Sequence, residues 1–263
     1  MLVLVEVADG VGTVTLNRPE ARNALSGALT RELEQAVTEL DGRDDVACMV
    51  LTGADPAFCA GVDLKALATD AGVNDPDRLR QPLAHHGFLP PHETPVIGAI
   101  NGATVTGGLE LALNCDFLIA SDRARFADTH ARVGAMPGAG LTIRLPQVVG
   151  VDRARRMSFT GDFVDAQTAY DWGLVAEVVP HEKLLQRARE IAAAVVSIPS
   201  DNIREIRRMY EEIGALSGRE ALDAEAAWSR RWMQRFDQTR LAGERERIMA
   251  RGRAQSTGLD AGT

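Results

Sequence analysis

The sequence predicts an α/β fold with a helical C-terminal region, and two observations carry that prediction. Short apolar runs alternate with segments of helical period over the first two-thirds of the chain. From Glu182 onward the pattern is helical almost to the end. Strands and helices in alternation, followed by helices alone, read as an α/β core with an appended helical part.

The elements follow in order. Leu2–Val7 and Val11–Leu16 read as a hairpin, because Asp9-Gly10 between them is a two-residue turn signal. Asn17-Arg18-Pro19 ends the second strand. Leu25, Leu29, Leu33, Val37 and Leu40 recur at spacings of three and four and make one helix face, with Ser26 as N-cap. Val46–Thr52 is a short apolar strand. A polar, proline-containing stretch, roughly 69–93, precedes a buried strand at Pro95–Ile100, which Asn101-Gly102 turns. A short helix is expected at Leu109–Asn114, a strand at Cys115–Ala120 and a loop from Ala127 to Gly140. Leu141–Val149 and Arg153–Thr160 look helical. Ala166–Trp172 is a helix closed by Gly173, the favoured residue past a helix end, and Leu174–Val179 is a last strand. Pro199 breaks the helical third once, and the polar tail past Arg253 frays.

Composition excludes several classes. A chain of 263 residues can bury a sizeable core without disulfides or metals. At 45% hydrophobic and 25% charged it is globular rather than disordered. No run approaches the ~18 apolar residues of a membrane span. The opening Met1-Leu2-Val3-Leu4-Val5-Glu6 lacks the basic flank and long apolar stretch of a signal peptide, so a cytoplasmic protein without membrane contact is expected. The cysteines Cys48, Cys59 and Cys115 have no metal spacing and read as buried, reduced thiols; no metal is expected. Twenty-nine Lys and Arg against 37 Asp and Glu give a formal charge of −8, which argues against nucleic-acid binding. A small anionic ligand needs only a local basic cluster.

Three stretches carry chemistry. In Ala57-Phe58-Cys59-Ala60-Gly61-Val62-Asp63-Leu64-Lys65 a strand leads toward a helix that Asp63 would cap, and free N–H groups at a helix start favour an anion. In Asn101-Gly102-Ala103-Thr104-Val105-Thr106-Gly107-Gly108-Leu109-Glu110 paired glycines open a helix and admit another group close to the backbone. Glu110 sits there among Leu109, Leu111, Ala112 and Leu113, where a buried carboxylate is costly unless paired or employed. The third stretch is Phe126-Ala127-Asp128-Thr129-His130, followed by Gly134-Ala135-Met136-Pro137-Gly138-Ala139-Gly140. His130 is its candidate proton carrier, having a near-neutral side chain. The other four histidines fall in loops with no evident partner.

In this order and spacing the three stretches resemble the crotonase (enoyl-CoA hydratase/isomerase) superfamily. Leu16-Asn17-Arg18-Pro19, Asn23-Ala24-Leu25, Thr160-Gly161 and Gly173-Leu174-Val175 belong to the same likeness, which covers roughly residues 2–200. It implies a crotonase-like spiral of ββα units over residues 1–199, binding an acyl-CoA thioester, with 200–263 as a helical C-terminal region at oligomer contacts. It implies an oxyanion hole made by the backbone N–H groups of Val62 and Gly107. That agrees with the chemistry, since fixed donors stabilise an enolate oxygen without reorganising. It implies Glu110 as the first of two acid/base residues. The second falls on position 130, where the family's Pro-Glu pair is replaced by Thr129-His130. Arg22, Ala24, Ala60, Asp63, Leu64, Lys65 and Gly138 fall on substrate-binding positions, Lys65 near the coenzyme A phosphates and the Gly138 N–H toward the water or acyl group. Coenzyme A arrives as part of the substrate, and no other cofactor is expected.

The expected activity is therefore reversible addition of water to a 2-enoyl-CoA thioester. The alternatives are another crotonase reaction on the same enolate hole, isomerisation or thioester hydrolysis, or an acyl-CoA-binding protein with little turnover. Members of the family assemble as trimers paired into hexamers. Trp228, Trp232 and Phe236, four residues apart, offer an apolar stripe for such self-association.

Overall fold

A computed structural model of the chain describes residues 1–63, 87–214, 216–234 and 249. It divides into two compact units, Met1–Arg207 and Arg208–Thr263. The first holds two sheets and the helices around them.

The hairpin forms as the sequence dictates. β1 (Val3–Ala8) and β2 (Val11–Leu16) pair antiparallel. Asp9 and Gly10 both take positive φ, 52° and 81°, as a two-residue turn matching the strand twist requires. After a 3₁₀ turn at Pro19–Ala21, α1 (Gly27–Asp41) begins at Ser26, whose Oγ accepts the Leu29 N–H at 3.2 Å. It buries Leu29, Leu33, Val37 and Leu40, the stripe read from the spacing.

The chain then alternates between the two sheets. β3 (Cys48–Gly53) joins the first and β4 (Ala57–Cys59) the second; β5 (Val96–Ile100) and β6 (Ala103–Val105) repeat this, and so do β7 (Phe117–Ser121) and β8 (Arg125–Ala127). With β9 (Val164–Asp165) and β10 (Glu177–Val179), the six-stranded sheet runs β1-β2-β3-β5-β7-β10 and the four-stranded one β4-β6-β8-β9. From β2 to β10 the larger sheet is parallel. β4, β6 and β8 are parallel too. This is the spiral of ββα units, each turn laying one strand on each sheet.

The larger sheet is covered on both faces, which is why β3 and β5 are buried at every position rather than at alternate ones. Met49 and Leu51 point into the main core with the α1 leucines, Phe58 and Leu109. Cys48 and Val50 point the other way, with Ile97, Ala99 and Ile119, against Leu184, Ala188 and Ala192 of a helix at Leu184–Val196. All three cysteines are free and buried, and burial pushes the thiols of Cys48 and Cys59 up to about 12.

Among the described residues the helices after α1 are, in chain order, α2 (Gly107–Ala112), α3 (His130–Val133), α4 (Leu141–Val149), α5 (Val151–Thr160), α6 (Ala166–Asp171), α7 (Leu184–Val196), α8 (Ser200–Ile213) and α9 (Gly218–Met233). Several boundaries differ from those read in the sequence. The expected strand at Cys115–Ala120 starts at Phe117, because the Cys115 N–H is held by Ala112 O and belongs to the end of α2. Of Leu174–Val179 only Glu177–Val179 joins the ladder; Leu174 and Val175 are buried without it. The expected loop from Ala127 to Gly140 contains α3. Among the described residues the helical third breaks at Pro199 and again between Ile213 and Gly218. The helix that Asp63 would cap, and the tail past Arg253, lie outside the described residues. No described helix is long and apolar enough to cross a membrane.

In the second unit α9 carries Trp228, which is buried and lies under the Arg231 guanidinium at 5.1 Å from the ring centre. Trp232 is half-buried on the same helix. Phe236, the third member of the expected stripe, lies outside the described residues.

Candidate active site

The three chemical stretches meet just beyond the C-terminal ends of three neighbouring strands. β4 leads to Val62, β6 to Gly107 and Glu110, and β8 to Asp128 and His130. Ligands of open parallel sheets gather at that edge for the same reason.

Val62 forms an isolated parallel bridge with Leu25. The Leu25 N–H donates to Gly61 O at 2.7 Å, and the Asp63 N–H donates to Leu25 O at 3.0 Å. Val62's own N–H therefore points to the opposite side, where Gly107 stands. A Cβ placed on Gly107 would lie 3.3 Å from Val62 N. Gly107 is the first residue of α2, and a first-turn N–H has no partner within its helix. The backbone N–H groups of Val62 and Gly107 thus lie close together, with the Phe88 ring beside Gly107.

Glycine is demanded at two places here. A side chain on Gly108 would collide with the Cys59 carbonyl. Gly61, at φ +92°, would place a Cβ 2.7 Å from Val105 O. Between the strands Thr106 takes φ 54° and ψ −112°, unusual for a β-branched residue. Its hydroxyl pairs with Thr129 Oγ1 at 2.5 Å and accepts the Thr129 N–H at 3.2 Å, while its N–H donates to Ala127 O. The turn that aims Gly107 is fastened to the segment that bears His130.

Glu110 is 3% exposed. Its Oε1 accepts two backbone N–H groups, from Gly138 at 3.1 Å and from Ala139 at 2.7 Å. Its Oε2 faces His130 Nε2 at 3.7 Å. On the other side of the imidazole, Nδ1 lies 2.7 Å from Asp128 Oδ1, which also accepts the His130 backbone N–H at 3.2 Å. Asp128 is 1% exposed. Burial alone would raise its pKa, but the hydrogen bonds from His130, with the Ser158 hydroxyl nearby, outweigh this and hold the carboxyl below the usual range, although Oδ2 is buried without a hydrogen-bond partner.

Of the residues read from the sequence, the structure brings together Val62, Gly107, Glu110, His130 and Gly138. Gly138 differs in role: its N–H is directed at Glu110 rather than at an open site, because a buried carboxylate draws the nearest donors. Asp63 binds Arg18 Nη1 at 2.6 Å, and that guanidinium also holds Ala24 O at 3.1 Å. Ala60 donates its N–H to Arg22 O at 3.0 Å, and the Arg22 side chain is exposed. Leu64 and Lys65 lie outside the described residues.

Sequence reasoning passed over Asp128, although it stands two residues before His130. It also passed over Asn23, fully buried, whose side chain binds Arg18 N, Ala54 O and Ala57 O and shapes the loop beneath Val62. Two histidines read as lacking partners have them: His92 meets Arg207, and His181 meets Asp55 and Ser121. Among the described residues, no group of three or more His, Cys, Asp or Glu is arranged to hold a metal.

Comparison with known proteins finds relatives over most of the chain. A family model described as enoyl-CoA hydratase/isomerase matches residues 6–240. A probable peroxisomal enoyl-CoA hydratase of Arabidopsis thaliana is 36% identical over 207 residues, 78% of this chain and 76% of that protein. A probable enoyl-CoA hydratase of Mycobacterium tuberculosis is 39% identical over 204 residues, 77% of this chain and 78% of its own length. Among solved structures, an enoyl-CoA hydratase from Mycobacterium smegmatis is 50% identical with a TM-score of 0.74, covering 90% of this chain and 100% of that one. One from Bacillus anthracis is 32% identical with a TM-score of 0.84, covering 95% and 97%.

Proposed function

The chain belongs to the enoyl-CoA hydratase/isomerase family, and from that premise we propose that it is a hydro-lyase adding water reversibly to a 2-enoyl-CoA thioester. The observation that carries this is the buried Glu110 carboxylate, tied by one oxygen to two backbone N–H groups and presenting the other to His130. Hydration needs a base beside a held water and a sink for negative charge, and both are at hand.

The steps balance on these groups. Two backbone N–H groups hold Oε1 of Glu110 and leave Oε2 turned toward His130. Its free Oε2 takes a proton from a water that also donates a hydrogen bond to His130 Nε2. The water oxygen bonds to C3 of the enoyl group, and the double-bond electrons move onto the thioester oxygen. The N–H groups of Val62 and Gly107 hold that enolate oxygen. Glu110 then returns the proton to C2, so hydroxyl and hydrogen are both delivered and the carboxylate is restored.

Arg22, Ala24, Ala60, Asp63, Leu64 and Lys65 are proposed to line the coenzyme A path, with Lys65 meeting a phosphate and Asp63 acting through its pairing with Arg18. Residues 1–199 form the acyl-CoA-binding part in this reading, which fits a role in fatty-acid metabolism in the cytoplasm. Self-association as a trimer or hexamer is proposed as well. Large apolar side chains exposed at Met136, Ile143, Phe159 and Phe163 support it, more than Trp228, which is already buried in the isolated chain.

The test is the ultraviolet absorbance of the conjugated enoyl thioester. Crotonyl-CoA and longer 2-enoyl-CoA substrates should lose it on addition of the protein and gain the mass of one water. Binding without loss of absorbance for any chain length would replace this reading with that of an acyl-CoA-binding protein.

A further inference from the structure

We propose that Asp128 is a positioning residue that fixes the tautomer of His130, so that Asp128 and His130 act together as the second, negatively charged partner of Glu110. This rests on the hydration reading of the same site.

A lone neutral imidazole has no charge with which to replace a carboxylate. The structure supplies that charge one group further back. One oxygen of Asp128 holds both the ring nitrogen of His130 and its backbone N–H, so it sets the side-chain torsion as well as the ring's hydrogen bond. An ionised carboxylate only accepts hydrogen bonds, so the ring proton sits on Nδ1 and the lone pair on Nε2. The two His130 donors on Oδ1, with the Ser158 hydroxyl nearby, hold the buried Asp128 carboxyl below the usual range, while its Oδ2 stands without a hydrogen-bond partner.

The direction of that lone pair matters. Nε2 lies 3.7 Å from Glu110 Oε2, too far for a direct hydrogen bond but a span that one water bridges. Between two acceptors, a water donates both its hydrogens and turns an oxygen lone pair outward, toward an electrophilic carbon. The opposite tautomer would donate from Nε2 and occupy that lone pair. Asp128 thereby decides whether the bridging water is a nucleophile.

The decisive measurement is the ¹⁵N NMR spectrum of His130 in the wild-type protein, assigned by its loss in His130→Gln. The expected pattern is a neutral ring protonated at Nδ1. In Asp128→Asn the pattern should change, and kcat should fall about 10²-fold or more with KM nearly unchanged. In the His130→Glu background, Asp128→Asn should instead raise turnover, because it removes a buried like charge beside the new carboxylate. A merely structural Asp128 would harm both backgrounds alike. An Nε2-protonated or doubly protonated ring in the wild type overturns the proposal, as does equal harm from Asp128→Asn in both backgrounds. Should no enoyl thioester turn over, the hydration reading fails, while the NMR spectrum still decides the tautomer.

Discussion

Glu110 and His130 face each other across 3.7 Å in a site where both are buried, and their outer sides are held differently. Glu110 leans on two backbone N–H groups, His130 on a carboxylate. The arrangement gives Glu110 a free oxygen without freeing the side chain. Glu110→Gln keeps that shape and removes the proton carrier, so kcat for hydration should fall by about 10²–10⁴. Calorimetry should show the thioester still bound. Full activity in Glu110→Gln would sink the catalytic assignment.

Two glycines of the site should answer differently to a methyl group. Gly108→Ala drives its Cβ into the Cys59 carbonyl, between strand and helix backbones that have little room to yield. It should cost about 1–3 kcal/mol or more in urea denaturation. Gly138→Ala meets nothing within 4 Å and keeps the N–H that serves Glu110. Its stability should stay within about 0.5 kcal/mol of the parent.

Asn23→Ala should cost about 2–3 kcal/mol, since Arg18 N and Ala54 O lose their partner inside the fold and alanine is strained at φ 54°. Activity measured well below the lowered melting temperature should fall too, because this loop underlies Val62. Unchanged stability would mean that water or a backbone shift replaces the amide.

His92 makes stability depend on pH. Its burial and the Arg207 guanidinium hold it below the usual imidazole range, against the opposing influence of Pro90 O, Asp116 and Asp41. Nδ1 donates to Pro90 O at 2.8 Å and Nε2 accepts from Arg207 Nη2 at 3.0 Å, so a second proton would face the guanidinium. A base depressed in the folded state contributes fully above its unfolded pKa of about 6.5 and loses that contribution as pH falls below it, because the unfolded chain takes up the proton. Denaturation midpoints should therefore drop from about pH 6.5 downward, and His92→Gln should flatten the slope. An identical slope in the variant would assign the effect to other groups.

Lys65→Ala should weaken coenzyme A binding by roughly 0.5–2 kcal/mol at low salt if the ammonium meets a phosphate, and by less as salt rises. Affinity unchanged at low salt would remove Lys65 from the phosphate site.

What could be read in advance followed the length of the signal. The α1 stripe from Leu29 to Leu40 spans three turns and is plain in the spacing, as is its Ser26 cap. The hairpin turn is written in two residues that tolerate positive φ. The strands β4, β6, β8 and β9 hold two or three residues each, too few to show a period, so the second sheet was invisible. In the site, Val62 and Gly107 are singled out by the family resemblance, and Glu110 by a carboxylate set in an apolar run after paired glycines. Asp128 is not, since a carboxylate two residues from a histidine is ordinary in a loop. Only its burial beyond β8 and its two contacts with His130 single it out.

The placement of the donors along the smaller sheet separates two tasks. The chain beyond β4 and β6 carries the two N–H groups that would hold the enolate oxygen, and Glu110 with them, whereas the pair that would orient the water, His130 and Asp128, stands in the few residues beyond β8. Those residues can be exchanged without redrawing the first two strands, within the limit that the Thr106–Thr129 fastening sets. A lineage built on this ladder can change its reaction by rewriting one short corner and inherit the rest intact.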